Sequence, residues 1–283
     1  MNKSSEPQND RLSLRRVRLL PRRGIGRGAL KRKMPSAQLK KGIFLIPSLF
    51  TTGNLFCGFF SMIAAIEGQY LQAAILIIIA HLLDGLDGTI ARVTKTTSQF
   101  GVEFDSLADL ISFGVAPAVL VYFWALSPLG TWGWLAASLY VICGALRLAR
   151  FNVQASTVEK THFIGLPIPA AAEMIVATVL MYQFLGGGTA FHKPVILLLV
   201  IYTLAGLMVS NFRYLSLKQL DLKRRHPFWL LLSAILLIKL SIAEPQIMLF
   251  GVFLLYTLSG PLLGLFSMFY RGKEKRGEAV ESQ

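Results

Sequence analysis

The amino-acid sequence predicts an all-α, polytopic membrane protein with about eight transmembrane helices. Of its 283 residues, 54% are hydrophobic and only 16% are charged, whereas roughly a quarter of the residues in a soluble domain are charged. The apolar residues form continuous blocks without an alternating pattern, which favours helices over the strands of a barrel. Many of these blocks come close to the length of about 20 residues that a membrane-spanning helix needs.

Eight apolar segments are candidate spans, and turn-forming residues such as Glu244-Pro245 separate them. The candidates are 43–66, 70–91, 102–126, 131–149, 166–186, 193–211, 227–243 and 246–270. Lys and Arg gather in alternate connections, and cytoplasmic loops carry such an excess. We therefore expect both termini in the cytoplasm. This arrangement requires an even number of spans: eight, or six if the weaker segments are re-entrant.

The N-terminal segment is strongly basic. Residues 1–41 hold thirteen Lys and Arg against Glu6 and Asp10. Nucleic-acid binding is one interpretation. We favour contact with an anionic lipid surface, worth about 1 kcal/mol per basic side chain, because leucines interleave with arginines over residues 11–20 as in an interfacial helix. The predicted parts are a cytoplasmic tail (1–42), a membrane domain (43–270) and a short charged tail (271–283).

Four aspartates lie in or beside segments that are otherwise apolar: Asp84, Asp87, Asp105 and Asp109. An aspartate in the middle of a bilayer costs about 2.5–3.5 kcal/mol on insertion scales. Asp84 and Asp87 are three residues apart and Asp105 and Asp109 are four apart, so each pair shares one helix face. Two antiparallel helices joined near residues 94–99 would bring the four carboxylates together at the cytoplasmic surface.

Such a cluster repels itself unless divalent cations neutralise it. Ligands that are all oxygen select hard ions such as Mg²⁺ or Mn²⁺, which commonly act on substrate phosphates. Gly85, Gly88 and Ala91 form a strip of small residues beside the acids. This strip is equally consistent with close helix packing and with room for a nucleotide.

The pattern Asp84-x-x-Asp87-Gly88-x-x-Ala91-Arg92, then eight residues, then Gly101-x-x-x-Asp105-x-x-x-Asp109 resembles in full the signature of the CDP-alcohol phosphatidyltransferase family. The resemblance implies a site for two Mg²⁺ or Mn²⁺ ions. Asp84, Asp87 and Asp105 would be ligands, and Asp109 would help hold the second ion and act as general base. The CDP-binding residues that it implies are Thr52, Asn54, Gly85, Gly88, Ala91, Arg92 and Gly101.

The segments 147–152 and 165–171, together with the first span, are similar to the phosphatidylserine synthase branch of that family. This resemblance implies CDP-diacylglycerol and L-serine as substrates and phosphatidylserine and CMP as products. Arg147 and Arg150 could bind the serine carboxylate or a lipid phosphate, or could be anchors at a cytoplasmic helix end. Asn152 could position a substrate or cap its helix. Glu173 receives no role, and His81 is expected to be structural.

Several alternatives stay open at this point. The acceptor could be glycerol 3-phosphate, inositol phosphate or choline, and a cation transporter would also carry aspartates within the membrane. We expect a multi-pass protein of the cell membrane, the inner membrane in a bacterium, with the active site facing the cytoplasm. The glycine-rich helix faces and the resemblance together suggest a homodimer, and no nucleic-acid partner is expected.

Overall fold

The computed structural model describes residues 37–94, 98–155, 162–187, 191, 194–215 and 243–281. This part of the chain is helical apart from two short strands. The helices are α1 (Ala37–Ile66), α2 (Tyr70–Thr94), α3 (Gln99–Asp109), α4 (Ala116–Val121), α5 (Thr131–Ala155), α6 (Ile168–Phe184), α7 (Pro194–Val209) and α8 (Pro245–Glu281). The strands β1 (His162–Ile164) and β2 (Arg213–Leu215) pair antiparallel.

Five segments in the described part are long and apolar enough to cross a membrane: Ser48–Ile66, Tyr70–Thr94, Gln99–Leu129, Thr131–Gln154 and Pro245–Gly264. Helices α6 and α7 are apolar but shorter. These helices confirm a multi-pass, helical membrane protein. The predicted span 227–243 and the basic segment 1–36 lie outside the described residues. The number of eight spans and the cytoplasmic placement of both termini stay predictions.

Among the described helices, α1 and α2 form the most extensive pair. Gly68, with φ of +78°, lies in the short connection that folds α2 back onto α1. Small side chains at the contact, such as Ala65 and Ala74, are fully buried and let the two backbones approach closely. The Ser61 hydroxyl donates to the carbonyl of Ala73 at 2.9 Å, so a buried hydrogen bond joins the two helices.

The third span is interrupted by two π-helical turns, at Leu110–Val115 and Tyr122–Leu126, and it ends in a 3₁₀ turn. In the first π-helical turn the amide of Ala116 donates to the carbonyl of Ile111, which is five residues back. Such turns often occur at functional sites. This one begins directly after Asp109, and it is held against α1 because the Ser112 hydroxyl donates to the carbonyl of Asn54 at 3.0 Å.

Helix α6 lies at the centre and contacts α2, α5, α7 and α8. The segment that leads into α6 is tied to the end of α7 and to the residues after it, because the amides of Gly165 and Leu166 donate to the carbonyls of Phe212 and Leu207. Gly165 has a φ of +79° and its Cα faces the carbonyl oxygen of Met208 so closely that a Cβ would collide with it. The buried start of α6 thus depends on a glycine at this position.

Gly58 provides a direct test of how α1 packs on the first π-helical turn. A Cβ at this position would collide with the Ser112 hydroxyl and lie 2.8 Å from its Cα. We expect Gly58→Ala to lower the free energy of unfolding in detergent by about 1–3 kcal/mol. Gly206→Ala is the matched control, because nothing lies within 4 Å of its Cβ position. Equal unfolding midpoints for the two variants would contradict this packing.

Candidate active site

Three of the four aspartates meet in space. One carboxylate oxygen from each of Asp84, Asp105 and Asp109 lies within 4.8 Å of the other two. Asp84 belongs to α2, whereas Asp105 and Asp109 lie one turn apart on α3. Helix α3 begins at a side-chain cap, since the amide of Gly101 donates to the Ser98 hydroxyl at 2.9 Å. The i, i+4 spacing on α3 therefore places both of its acids toward Asp84.

Asp87 lies beside this group and has its own partner. It is only 4% exposed, and its Oδ2 accepts a hydrogen bond of 2.8 Å from the Thr51 hydroxyl on α1. This hydrogen bond joins residues 36 positions apart and fixes one oxygen of the Asp87 carboxylate. The contact between Thr51 and Asp87 could not be read from the spacing of the aspartates, because it joins two different helices.

Asn54 is the second α1 residue at the site. It is fully buried, and its Nδ2 donates to Asp109 Oδ1 at 3.3 Å. Its backbone carbonyl accepts from Ser112, so the same residue holds the end of α3 and the turn that follows. Asn54 was expected to touch CDP. The structure places it against Asp109, where it restricts the orientation of that carboxylate.

The cluster has the chemistry of a divalent-cation site. Its ligand atoms are all carboxylate oxygens, the type that Mg²⁺ and Mn²⁺ prefer. Asp105 Oδ1 is buried and has no hydrogen-bond partner within the described part of the chain, and a buried acceptor without a partner is costly. Three carboxylates this close repel one another unless protons or cations offset their charge. Asp84, Asp105 and Asp109 therefore fit a bound metal ion.

The glycine strip beside the acids is open. A Cβ at Gly85 or Gly88 would meet no atom of the described residues within 4 Å. The described helices do not use this strip for close packing, so it leaves room for a ligand. Arg92 is exposed at its end, with Nε donating to the carbonyl of Gly88 at 2.9 Å. Thr52 is also exposed, and its hydroxyl donates to the carbonyl of Ser48 at 2.7 Å.

Arg147 is the buried cation of the site. It is 7% exposed, and its guanidinium lies 5.2 Å from the ring centroid of Phe151. It lies within electrostatic range of the Asp109 carboxylate. Among the described residues it makes no hydrogen bond and no ion pair within 4 Å. A buried guanidinium in this state is suited to bind an anionic group.

Arg150 and Asn152 have partners within the protein. Arg150 Nη2 donates to Asn211 Oδ1 at 2.7 Å, and its Nη1 donates to the carbonyl of Val209 at the end of α7. Asn152 Nδ2 donates to the Ser106 hydroxyl on α3 at 2.9 Å. Both side chains therefore join α5 to neighbouring helices near the site, and a basic residue at a helix C-terminus is favourable.

Glu173 and His81 form a polar pair that the sequence did not indicate. Glu173 is 2% exposed, and its Oε1 lies 2.9 Å from His81 Nδ1. The two residues are 92 positions apart, so nothing in the local sequence pattern relates them. The one feature of the sequence that pointed to this pair was Glu173 itself, an acidic residue within the apolar stretch that forms α6.

Comparison with known families agrees with this geometry. Residues 44–210 match the model of the CDP-alcohol phosphatidyltransferase family. The match covers more than half of the chain and includes the complete aspartate signature and the buried Arg147. The chain therefore belongs to the CDP-alcohol phosphatidyltransferases, a family of transferase enzymes.

Curated relatives narrow the comparison within the family. The chain is 42% identical over 217 residues to the CDP-diacylglycerol–serine O-phosphatidyltransferase of Helicobacter pylori, covering 76% of this chain and 90% of that protein. It is 36% identical over 174 residues to the enzyme of the same name from Bacillus subtilis, with 62% and 92% covered. The archaetidylserine synthase of Methanothermobacter thermautotrophicus is 38% identical over 171 residues, with 60% and 69% covered.

Proposed function

We propose that this protein transfers the phosphatidyl group of CDP-diacylglycerol to the hydroxyl of L-serine, giving phosphatidylserine and CMP. The observation that carries this proposal is the cluster of Asp84, Asp105 and Asp109, which lies beside an open glycine strip and completes the family signature. The names of the relatives support serine as the acceptor. The reaction would take place in the cell membrane, with the site facing the cytoplasm.

The donor nucleotide binds along the strip in this proposal. Gly85, Gly88 and Ala91 leave space for the cytidine and the pyrophosphate, and the exposed Arg92 reaches the phosphates from the end of α2. Thr52, Asn54 and Gly101 lie on the neighbouring elements. Asp84, Asp87, Asp105 and Asp109 would hold two Mg²⁺ or Mn²⁺ ions. When bound, such ions neutralise the pyrophosphate and stabilise the departing CMP.

Asp109 is the general base in this proposal. The serine hydroxyl attacks the phosphorus that carries the diacylglycerol, the bond from this phosphorus to the bridging oxygen breaks, and CMP leaves with the electron pair. The hydroxyl proton passes to the Asp109 carboxylate. Asn54 supports this role because its amide holds Asp109 Oδ1, which restricts the carboxylate to one orientation. A positioned base typically contributes about 10²–10⁴-fold to the rate.

Arg147 binds the carboxylate of serine in this proposal. Its burial and its position near Asp109 would bring the serine hydroxyl to the base. A hydrogen bond to a charged group contributes about 1.5–3 kcal/mol. Arg150 and Asn152, which have protein partners, would act indirectly by fixing the end of α5 against α7 and α3.

The reaction is tested by incorporation of labelled serine into lipid by the purified enzyme with CDP-diacylglycerol and Mn²⁺ or Mg²⁺. We expect phosphatidylserine as the product and a loss of at least about 100-fold in kcat for Asp109→Asn, because the base is removed. Glu103→Gln is the matched control, since Glu103 is an exposed acid on the same helix. Absence of a lipid product, as expected for a transporter, would contradict the proposed reaction.

Arg147→Met tests how the acceptor is recognised. We expect the KM for serine to rise roughly 10- to 100-fold, since about 1.5–3 kcal/mol of binding is lost. Ethanolamine lacks the carboxylate and should be used equally poorly by the variant and the wild type.

Competition in the same assay tests the acceptor itself. If glycerol 3-phosphate, inositol phosphate or choline outcompeted serine, the assignment of serine as the acceptor would be wrong. Transfer of the phosphatidyl group to an alcohol would still be the reaction.

A further inference from the structure

Asp87 is the one acid of the aspartate signature that lies outside the group formed by the other three. That group, with oxygens within 4.8 Å of one another, comprises Asp84, Asp105 and Asp109. Among the described residues, the Asp87 carboxylate forms no ion pair within 4 Å with Lys, Arg or His. Its side-chain partner is the neutral hydroxyl of Thr51, which donates to Oδ2 at 2.8 Å.

This hydrogen bond is almost closed to water. Asp87 is 4% exposed and Thr51 is 5% exposed. A buried charge is costly unless it is paired or binds a cation, and ionisable residues within a membrane domain commonly have functional roles. A carboxylate has about four lone-pair sites, so the bond from Thr51 leaves Asp87 able to bind a cation as well.

Thr51 lies on the face of α1 that meets the site. Asn54 and Gly58 follow it by three and seven residues, so the three positions share one side of the helix. Asn54 donates to Asp109, and Gly58 lies against Ser112. Contacts at all three positions therefore hold the Thr51 hydroxyl in place relative to the helices that carry the acids.

Helices α1 and α2 are joined by further contacts that do not involve Thr51. The buried hydroxyl of Ser61 donates to the carbonyl of Ala73, and buried alanines pack between the two helices. Apolar side chains of similar shape in place of a buried polar pair are often neutral or stabilising, so packing alone does not require Thr51 and Asp87. Hydrogen bonds that orient a metal ligand are a different role, and their loss typically weakens metal binding or activity by about 10–100-fold.

We propose that Thr51 is a positioning residue for Asp87. Its hydroxyl holds the Asp87 carboxylate apart from the group of three acids, so that Asp87 contributes to only one of the two divalent ions. This inference rests on the metal site of the proposed function, and it does not depend on which alcohol is the acceptor.

The decisive variant is Thr51→Val, which keeps the shape of the side chain and removes the hydroxyl. Mn²⁺ binding is measured from the electron paramagnetic resonance signal of the free ion, on the full-length enzyme in detergent, without CDP and then with saturating CDP. We expect the dissociation constant of one bound Mn²⁺ to rise about 10–100-fold. The dissociation constant of the other should stay within about threefold, because the group of three acids is unchanged. Thr51→Ala removes the same hydroxyl and should give the same loss.

Thr51→Ser and Ser61→Ala are the matched controls. Serine keeps the hydroxyl, so Thr51→Ser should bind both Mn²⁺ ions within about threefold of the wild type. Ser61→Ala also removes a buried hydroxyl that joins α1 to α2, about 15 Å further along α1. It should lower the thermal unfolding midpoint about as much as Thr51→Val does and leave Mn²⁺ binding unchanged. The comparison separates loss of a helix contact from loss of a positioned ligand.

A double-mutant cycle tests whether the hydroxyl acts through Asp87. Asp87→Asn should itself weaken binding of the same ion. Adding Thr51→Val to Asp87→Asn should then change the Mn²⁺ dissociation constants by no more than about twofold, because the carboxylate that Thr51 positions is already gone. Additive losses from the two substitutions would show that Thr51 acts elsewhere.

Two further results would overturn the positioning role. Wild-type Mn²⁺ binding by folded Thr51→Val or Thr51→Ala protein would show that the hydroxyl does not position a metal ligand. A raised CDP dissociation constant at saturating Mn²⁺, with unchanged Mn²⁺ binding, would place the hydroxyl at the nucleotide instead. Failure of the proposed function is distinct, because the wild-type enzyme would then bind Mn²⁺ and CDP and make no phosphatidylserine.

Discussion

Mutual repulsion among carboxylates within an apolar helical bundle is the constraint on which the site depends. Asp84, Asp105 and Asp109 bring oxygens within 4.8 Å of one another, and Asp87 is buried nearby. Such a group is unfavourable unless hydrogen bonds and cations offset its charge. The surroundings provide part of this compensation, through Thr51, Asn54 and the buried Arg147, and the remainder is what a divalent ion would supply.

Helix α1 supplies most of the support for the cluster. It contributes the hydroxyl of Thr51 to Asp87 and the amide of Asn54 to Asp109. It also lies so close to the first π-helical turn that Gly58 has no room for a side chain. Because the same helix packs against α2 and α3, it sets the relative position of the two helices that carry the acids. The glycine strip of α2 stays uncovered in this arrangement, so a rigid acidic site adjoins an open groove.

The sequence was sufficient to predict the helical class, five long helices and two shorter ones among the eight candidate spans, and the convergence of three of the four aspartates, Asp84, Asp105 and Asp109. These follow from local patterns: apolar blocks, and acids three or four residues apart. It could not predict Thr51 with Asp87 or His81 with Glu173, because tertiary packing decides these contacts. The helical period of 3.6 residues, on which the sequence-based prediction relies, does not reveal the π-helical turn after Asp109. Arg150 and Asn152 also illustrate this limit, since their partners Asn211 and Ser106 depend on how α5 packs.

The most direct test of the central claim is whether CDP binding requires a divalent ion held by these aspartates. Calorimetric titration of CDP into the purified protein would be run with Mg²⁺, with a chelator, and with Asp105→Asn in Mg²⁺. We expect CDP to bind with Mg²⁺ and to bind at least about tenfold more weakly in the other two cases. Loss of a side chain that merely orients a metal ligand already weakens metal binding by about tenfold or more, and loss of a ligand itself should weaken it at least as much. Equal CDP affinity in chelator and in Mg²⁺ would contradict a site built on carboxylates that hold metal ions.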